Sequence, residues 1–267
     1  MTREILRKTF GEDAALYDKA RPGYPARLFT DLAAMTGLGP GARVLEIGCG
    51  TGQATLPLAR LGCSVLAVEL SPALAAVARR KLAAFPRVSV EVAAFEEWTP
   101  PAEPFDLVVA ATSFHWLDPA TRAAQAADRL RPGGALAVIY SEHVRGGTVD
   151  FFHDAQAYYE RYDPATPPGL RLTPGDQIPD DAEEFDRSGR FTAAEFRRYE
   201  WEQSYSTAGY LDLLMTYSGH RALPAADREG LLTALASLID NDHGGHITKR
   251  YLTRMTVVRT PPAPSSR

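Results

Sequence analysis

Residues 44–53 read V-L-E-I-G-C-G-T-G-Q, an apolar run that ends in three alternating glycines, Gly48, Gly50 and Gly52. Such a run predicts a buried strand leading through a tight turn into a helix. Glycine suits the turn because a Cβ would forbid its backbone angles and block close approach of a ligand. A lone acid, Glu69, follows roughly twenty residues on, where the next strand ends. An acid there can accept hydrogen bonds from both ribose hydroxyls, so the pattern reads as a nucleoside-cofactor site.

The spacing separates one nucleoside from another. A dinucleotide fingerprint needs G-x-G-x-x-G, but here the third glycine comes one residue early and Gln53 takes its place. The strand also carries a carboxylate, Glu46, just ahead of the glycines. That charge would repel a pyrophosphate and suits the sulfonium and ammonium groups of S-adenosylmethionine.

The wider pattern is of the doubly wound type. Strands are expected at 43–47, 64–69, 88–92, 105–110 and 135–140. Helices are expected at 53–61, from Ser71-Pro72 to about 84, and at 119–130, and R-P-G-G at 131–134 reads as a turn. This alternation implies a mostly parallel α/β sheet with a ligand at its carboxyl edge. Beyond Tyr140 it stops. Residues 158–179, rich in Pro and Gly, read as an irregular loop; 200–205 alternate as a half-exposed strand; helices are expected at 208–217 and 225–240. Residues 248–258 read as a last, antiparallel strand, which makes 141–246 an α-rich insertion before it. The expected organisation is a cofactor-binding core over 1–140 with an N-terminal lid helix, substrate recognition over 141–246, a closing strand over 247–260 and a disordered tail over 261–267.

The motifs E-x-G-x-G-x-G at 46–52, V-E-L-S-P-A-L at 68–74, A-A-F-E-E-W at 93–98, F-D-L-V-V-A-A-T-S-F-H-W-L at 105–117 and L-R-P-G-G at 130–134 resemble those of class I S-adenosylmethionine-dependent methyltransferases, in their small-molecule and ubiquinone-type branch. R-P-G-Y-P at 21–25 is similar to trans-aconitate methyltransferase-like proteins. The resemblance implies a Rossmann-like fold. It implies that Gly48, Gly50, Gly52 and the adjoining Gln53 hold the cofactor backbone, that Glu69 with Leu70 holds the ribose, that Ala94, Phe95 and Glu96 border the adenine, and that Ala111 and Thr112 lie below the methionine portion. At the adenine position the family often has Asp where this chain has Glu96. Tyr17 and Arg21 carry two readings. Arg21 is either on a solvated helix face or part of a lid, pairing the methionine carboxylate while Tyr17 or Tyr24 walls the reaction chamber.

His115, directly after the fourth strand, is the best-placed catalytic base, and a packing histidine beside Trp116 is the other reading. The remaining histidines fall in turns or after the fifth strand, read as solvated surface, and show no metal-ligand spacing. Cys49 reads as a small packing residue, and two cysteines make no disulfide framework, so a reducing cytoplasm is expected. At net charge −4 with scattered basic residues, the chain has no nucleic-acid footprint. No apolar run reaches membrane-helix length, and residues 1–10 are charged with no signal-peptide core. The expectation is a monomeric or homodimeric enzyme that transfers a methyl group to an O, N or carboxylate of a small molecule. A cofactor-binding protein with a cyclising or regulatory role, and a protein or nucleic-acid methyltransferase, are the alternatives.

Overall fold

The computed structural model describes residues 11–263. The expectations for residues 1–10 and for the tail beyond 263 lie outside the described residues, and 261–263 carry no regular secondary structure. In chain order the elements are α1 (Ala14–Ala20), α2 (Ala26–Thr36), β1 (Arg43–Ile47), α3 (Thr55–Arg60), β2 (Ser64–Glu69), α4 (Pro72–Lys81), β3 (Val88–Val92), β4 (Phe105–Ala111) and α5 (Arg122–Ala127). There follow β5 (Leu130–Gly147), α6 (Val149–Tyr162), α7 (Glu183–Ser188), β6 (Glu195–Ser206), α8 (Thr207–Leu214), α9 (Ser218–Ala222), α10 (Ala225–Asp242) and β7 (His246–Arg259).

The strands form one seven-stranded sheet in the order β3-β2-β1-β4-β5-β7-β6, mostly parallel with the C-terminal strand antiparallel. β1 pairs in parallel with β2 (Ile47↔Val68) and with β4 (Glu46↔Val109), and β2 pairs with β3 (Glu69↔Val92). Parallel alignment brings the carboxyl ends of these strands to one edge. β1 is buried on both faces, with Val44 and Leu45 fully inaccessible, because helices cover a sheet of this kind on each side.

Several boundaries differ from expectation, each for a local reason. The turn expected at 131–134 is part of β5, as an irregularity in its pairing with β4: Phe105 faces Leu130 and Leu107 already faces Ala135. Pro132 has no N–H for the ladder, and Gly133 takes φ +74°, a left-handed value open to glycine. Because Leu130 enters β5, the helix expected over 119–130 shrinks to Arg122–Ala127. The fifth strand does not stop at Tyr140 but runs on through Ser141, Glu142 and His143, polar residues that broke the apolar pattern. The irregular loop begins only after Tyr162, since α6 places Phe151, Ala155 and Gln156 on one buried face.

The chain divides into two compact units. One holds Gly23–Tyr140, Asp180–Tyr199 and the described residues from Thr253, and the other holds the described residues through Pro22, Ser141–Pro179 and Glu200–Leu252. The first packs Leu45, Val108, Phe114, Leu136 and their neighbours around the sheet. The second is centred on Phe151, Tyr210, Leu213, Leu231, Leu235 and Ile239. Phe151, Phe152, Tyr158, Tyr159, Trp201, Tyr205, Tyr210 and Tyr217 lie in this second core or pack against it. No described helix is long and apolar enough to cross a membrane.

Candidate functional site

The glycine turn is held open by its own geometry. Gly48, Gly50 and Gly52 have φ of +70°, +58° and +89°, values that L side chains adopt only under strain. A Cβ on Gly48 would lie 2.7 Å from Cβ of Ser113, and one on Gly52 would lie 3.2 Å from Leu82 Cδ1. Gly48 N–H donates to Val68 O at 2.7 Å, which ties the turn to β2. Ser113 donates its hydroxyl to Ile47 O, which ties it to the exit of β4.

Glu69 organises the turn from the side. Its Oε2 accepts from Gly50 N–H at 2.9 Å and its Oε1 from Ser71 N–H at 2.8 Å, with the residue 6% exposed. Each carboxylate oxygen offers two lone pairs to donors. Ser71 in turn caps α4, with Oγ accepting from Leu74 N–H at 3.3 Å and Pro72 in the first turn, as the sequence predicted. Leu70 sits half-buried between these two. Gln53 donates Nε2 to Thr51 Oγ1 at 2.8 Å.

Glu46 is the electrostatic anomaly. It is 1% exposed, and its Oε2 is buried with no hydrogen-bond partner. Burial, joined by the charge of Glu69 and opposed by the Thr55 side chain, pushes its carboxyl up to about 7. A raised carboxylic acid stabilises the fold while protonated. That contribution is complete below the usual value of 4.5 and is lost as pH rises through about 7. The melting temperature of the ligand-free protein should therefore fall across that window, and Glu46→Gln should flatten the fall. A cation bound beside Glu46 favours the ionised form, so cation affinity should rise with pH by at most about tenfold per unit. Calorimetry and melting curves across the window check both, and an unchanged pH slope in Glu46→Gln would remove Glu46 from the site.

The other expected residues fall as follows. Ala94 and Glu96 are half-buried after β3, while the Phe95 ring is 4% exposed and packs into the sheet core beside Trp98. Ala111 ends β4, and Thr112 follows at φ +56°, the one non-glycine residue with positive φ among those described. Its N–H donates to Ile139 O at 2.7 Å, and its hydroxyl pairs with Tyr24 OH at 3.0 Å. Strained backbone of this kind costs about 1–3 kcal/mol and persists where the surroundings impose it. His115 is exposed on a 3-10 turn (Phe114–Trp116), with its ring 4.8 Å from that of Trp116 and 5.9 Å from that of Tyr140. Burial and the charges of Glu46 and Glu69 push the Cys49 thiol well up, so it stays protonated as a packing residue.

Tyr17 and Arg21 belong to the other unit. There the Arg21 guanidinium lies 5.1 Å from the Tyr17 ring and 4.5 Å from the Tyr217 ring, and Nη2 donates to Thr216 O at 2.9 Å. Arg21 is thus tied into that unit rather than standing on a solvated helix face. His220 also departs from expectation: burial, then Lys249, lowers it to about 4, and Nε2 pairs with Tyr159 OH at 3.0 Å. Ser113 and Thr55 were not singled out from the sequence. The small residues T-S at the exit of β4 were the available signal, since only a short side chain fits against Gly48.

A mostly parallel sheet whose first strand runs into G-x-G-x-G, with acids at the ends of β1 and β2, defines a class I methyltransferase fold. Residues 44–134 match the family model described as a methyltransferase domain. An uncharacterized methyltransferase of Mycobacterium tuberculosis (strain ATCC 25618 / H37Rv) is 34% identical over 142 residues, 52% of this chain and 55% of its own length. The chain thus spans about half the length of the curated relatives it matches first. A ubiquinone biosynthesis O-methyltransferase of Xanthomonas campestris pv. campestris (strain B100) is 39% identical over 101 residues, 36% of this chain and 42% of that one. Among solved structures, one from Anaeromyxobacter dehalogenans, described as a type II methyltransferase, superposes with TM-score 0.61 at 25% identity, covering 91% of this chain and 99% of that one.

Proposed function

We propose that this protein transfers the methyl group of S-adenosylmethionine to an oxygen, nitrogen or carboxylate of a small molecule. The observation that carries the reading is Glu46, a buried carboxylate with an unmatched oxygen at the mouth of a glycine turn. Such a group calls for a cation, which S-adenosylmethionine supplies and a dinucleotide pyrophosphate does not. The residues present fit the cofactor. Gly48, Gly50 and Gly52 carry no side chain to block close approach, Glu69 offers a carboxylate to the ribose, and Ala94 and Glu96 follow β3 toward the adenine. The sulfonium supplies the activated methyl group.

What remains for the chain is alignment and, where the acceptor is a neutral hydroxyl or amine, removal of a proton. His115 stands on the strand exit beside Thr112 and is the residue proposed to take that proton. The ubiquinone-type relative supports an oxygen acceptor on a small molecule. Two buried free thiols, Cys49 and Cys63, support a reducing cytoplasm. Calorimetry tests the cofactor. S-adenosylmethionine and S-adenosylhomocysteine should bind with Kd on the order of micromolar, about −8 kcal/mol, with no heat from NAD. NAD binding together with silence for both adenosyl ligands would sink the reading.

A further inference from the structure

Tyr24 stands just ahead of α2, and its neighbours leave the ring little freedom. Pro25 follows it, and a residue before proline is held to extended backbone. The ring packs against the cluster that holds Leu28, Leu32 and Val109, edge-on to Phe29 at 6.3 Å, and Phe29 is itself buried. The hydroxyl is thereby carried to Thr112, whose Oγ1 it pairs with at 3.0 Å. Both residues belong to the same compact unit.

Thr112 is where that hydroxyl matters. A β-branched residue at φ +56° is an outlier, and strain of this kind gathers where a site needs a fixed backbone path. Ala111 closes β4, and the left-handed residue after it takes the chain out of the sheet. Ser113 comes next, donating its hydroxyl to Ile47 O and lying so close to Gly48 that a Cβ there would meet its own Cβ at 2.7 Å. Two residues further on, the same exit carries His115. The backbone of β5 holds Thr112 by its N–H, through Ile139 O, and Tyr24 holds it by its side chain.

We infer that Tyr24 is a positioning residue for the cofactor turn: its hydroxyl braces Thr112 in the left-handed conformation, and Thr112 in turn sets Ser113 against Gly48. The ring alone cannot do this, because phenylalanine would pack on Phe29 equally well. The consequence for the cofactor rests on the methyl-transfer reading, whereas the brace itself does not.

The test compares Tyr24→Phe, Thr112→Val and Thr112→Gly, with Tyr24→Phe also made on the glycine background. Valine keeps the branched shape and the strain but loses the hydroxyl, while glycine takes a positive φ freely and needs no brace. S-adenosylhomocysteine is titrated by calorimetry. Tyr24→Phe and Thr112→Val should each weaken it by about threefold to tenfold, the range of one neutral hydrogen bond. Thr112→Gly should bind close to the parent value, and Tyr24→Phe should cost nothing further on that background. A tyrosine that only packs, or that touches the cofactor directly, would not be rescued by glycine at position 112. Equal losses in Thr112→Gly and Thr112→Val, a full Tyr24→Phe loss on the glycine background, or parent affinity in a folded Tyr24→Phe would each overturn the brace. Amide exchange across 109–117 in the ligand-free chain is the second readout. It should quicken in Tyr24→Phe and in Thr112→Val, and unchanged protection in both would also overturn the brace. Because exchange needs no ligand, it decides the brace even if neither adenosyl ligand binds, an outcome that counts against the methyl-transfer reading instead.

Discussion

Glu69→Ala should lower the affinity for S-adenosylmethionine by at least about tenfold and destabilise the glycine turn at the same time. The native carboxylate accepts from the amides of Gly50 and Ser71 at 2.9 and 2.8 Å, in a site only 6% exposed. Hydrogen bonds to a charged group contribute about 1.5–3 kcal/mol each, and an orphaned buried amide costs a further 1–3 kcal/mol. Alanine therefore leaves two backbone donors without an acceptor and removes the acceptor proposed for the ribose. The two effects separate by comparison with Glu69→Gln. Glutamine keeps the shape and one acceptor oxygen, but its NH₂ must face a donor. It should restore part of the melting temperature while leaving cofactor affinity low. Calorimetry on both variants, with melting curves, is the measurement. Parent affinity in Glu69→Ala would put the ribose partner elsewhere.

How much of this was legible in the sequence depended on whether burial left a periodic signature. β1, β2 and β3 begin and end where the sequence placed them: β1 and β2, covered on both faces, read as near-continuous apolar runs, while β3 is an edge strand with Val90 alone buried, legible from its alternating valines. The cap at Ser71-Pro72 was legible because its chemistry is local. α6 was not, although Phe151, Phe152, Ala155, Tyr158, Tyr159 and Tyr162 recur at helical spacing. The stretch from Tyr158 read as an irregular loop because of the prolines and glycines that follow, and this masked the helix. Lys249 was missed for a related reason. T-K-R-Y falls within the stretch read as the last strand with no face assigned, yet Ile247, Lys249 and Tyr251 alternate on one face and are 1%, 3% and 4% exposed. That period of two was the signal. At the cofactor turn, sequence supplied Glu46, the glycines and Glu69, but not Ser113 or Thr55, whose roles arise only when β4 and α3 come beside β1.

The largest effect on turnover is expected at His115. The turn that carries it is fixed from below. Phe114 is fully buried, its carbonyl accepts from Arg122 Nη1 at 3.0 Å, and Arg122 is held by Glu184 at 2.6 Å. The imidazole itself is exposed, with its ring 4.8 Å from that of Trp116 and 5.9 Å from that of Tyr140. Removing an exposed ring from a turn anchored elsewhere should change stability by no more than about 0.5 kcal/mol. The packing role that the sequence left open therefore predicts almost nothing for His115→Ala, whereas the base role predicts a loss of about 10²–10⁴ in turnover. Cofactor affinity should stay near the parent value in either case. With a base at work, the pH–rate profile should also lose an ionisation near about 6.5, the range of an ordinary imidazole. A variant that melts normally, binds cofactor normally and turns over at the parent rate would reject the base. It would point to an acceptor already ionised at neutral pH, since a carboxylate oxygen needs no proton removed before it attacks the methyl carbon.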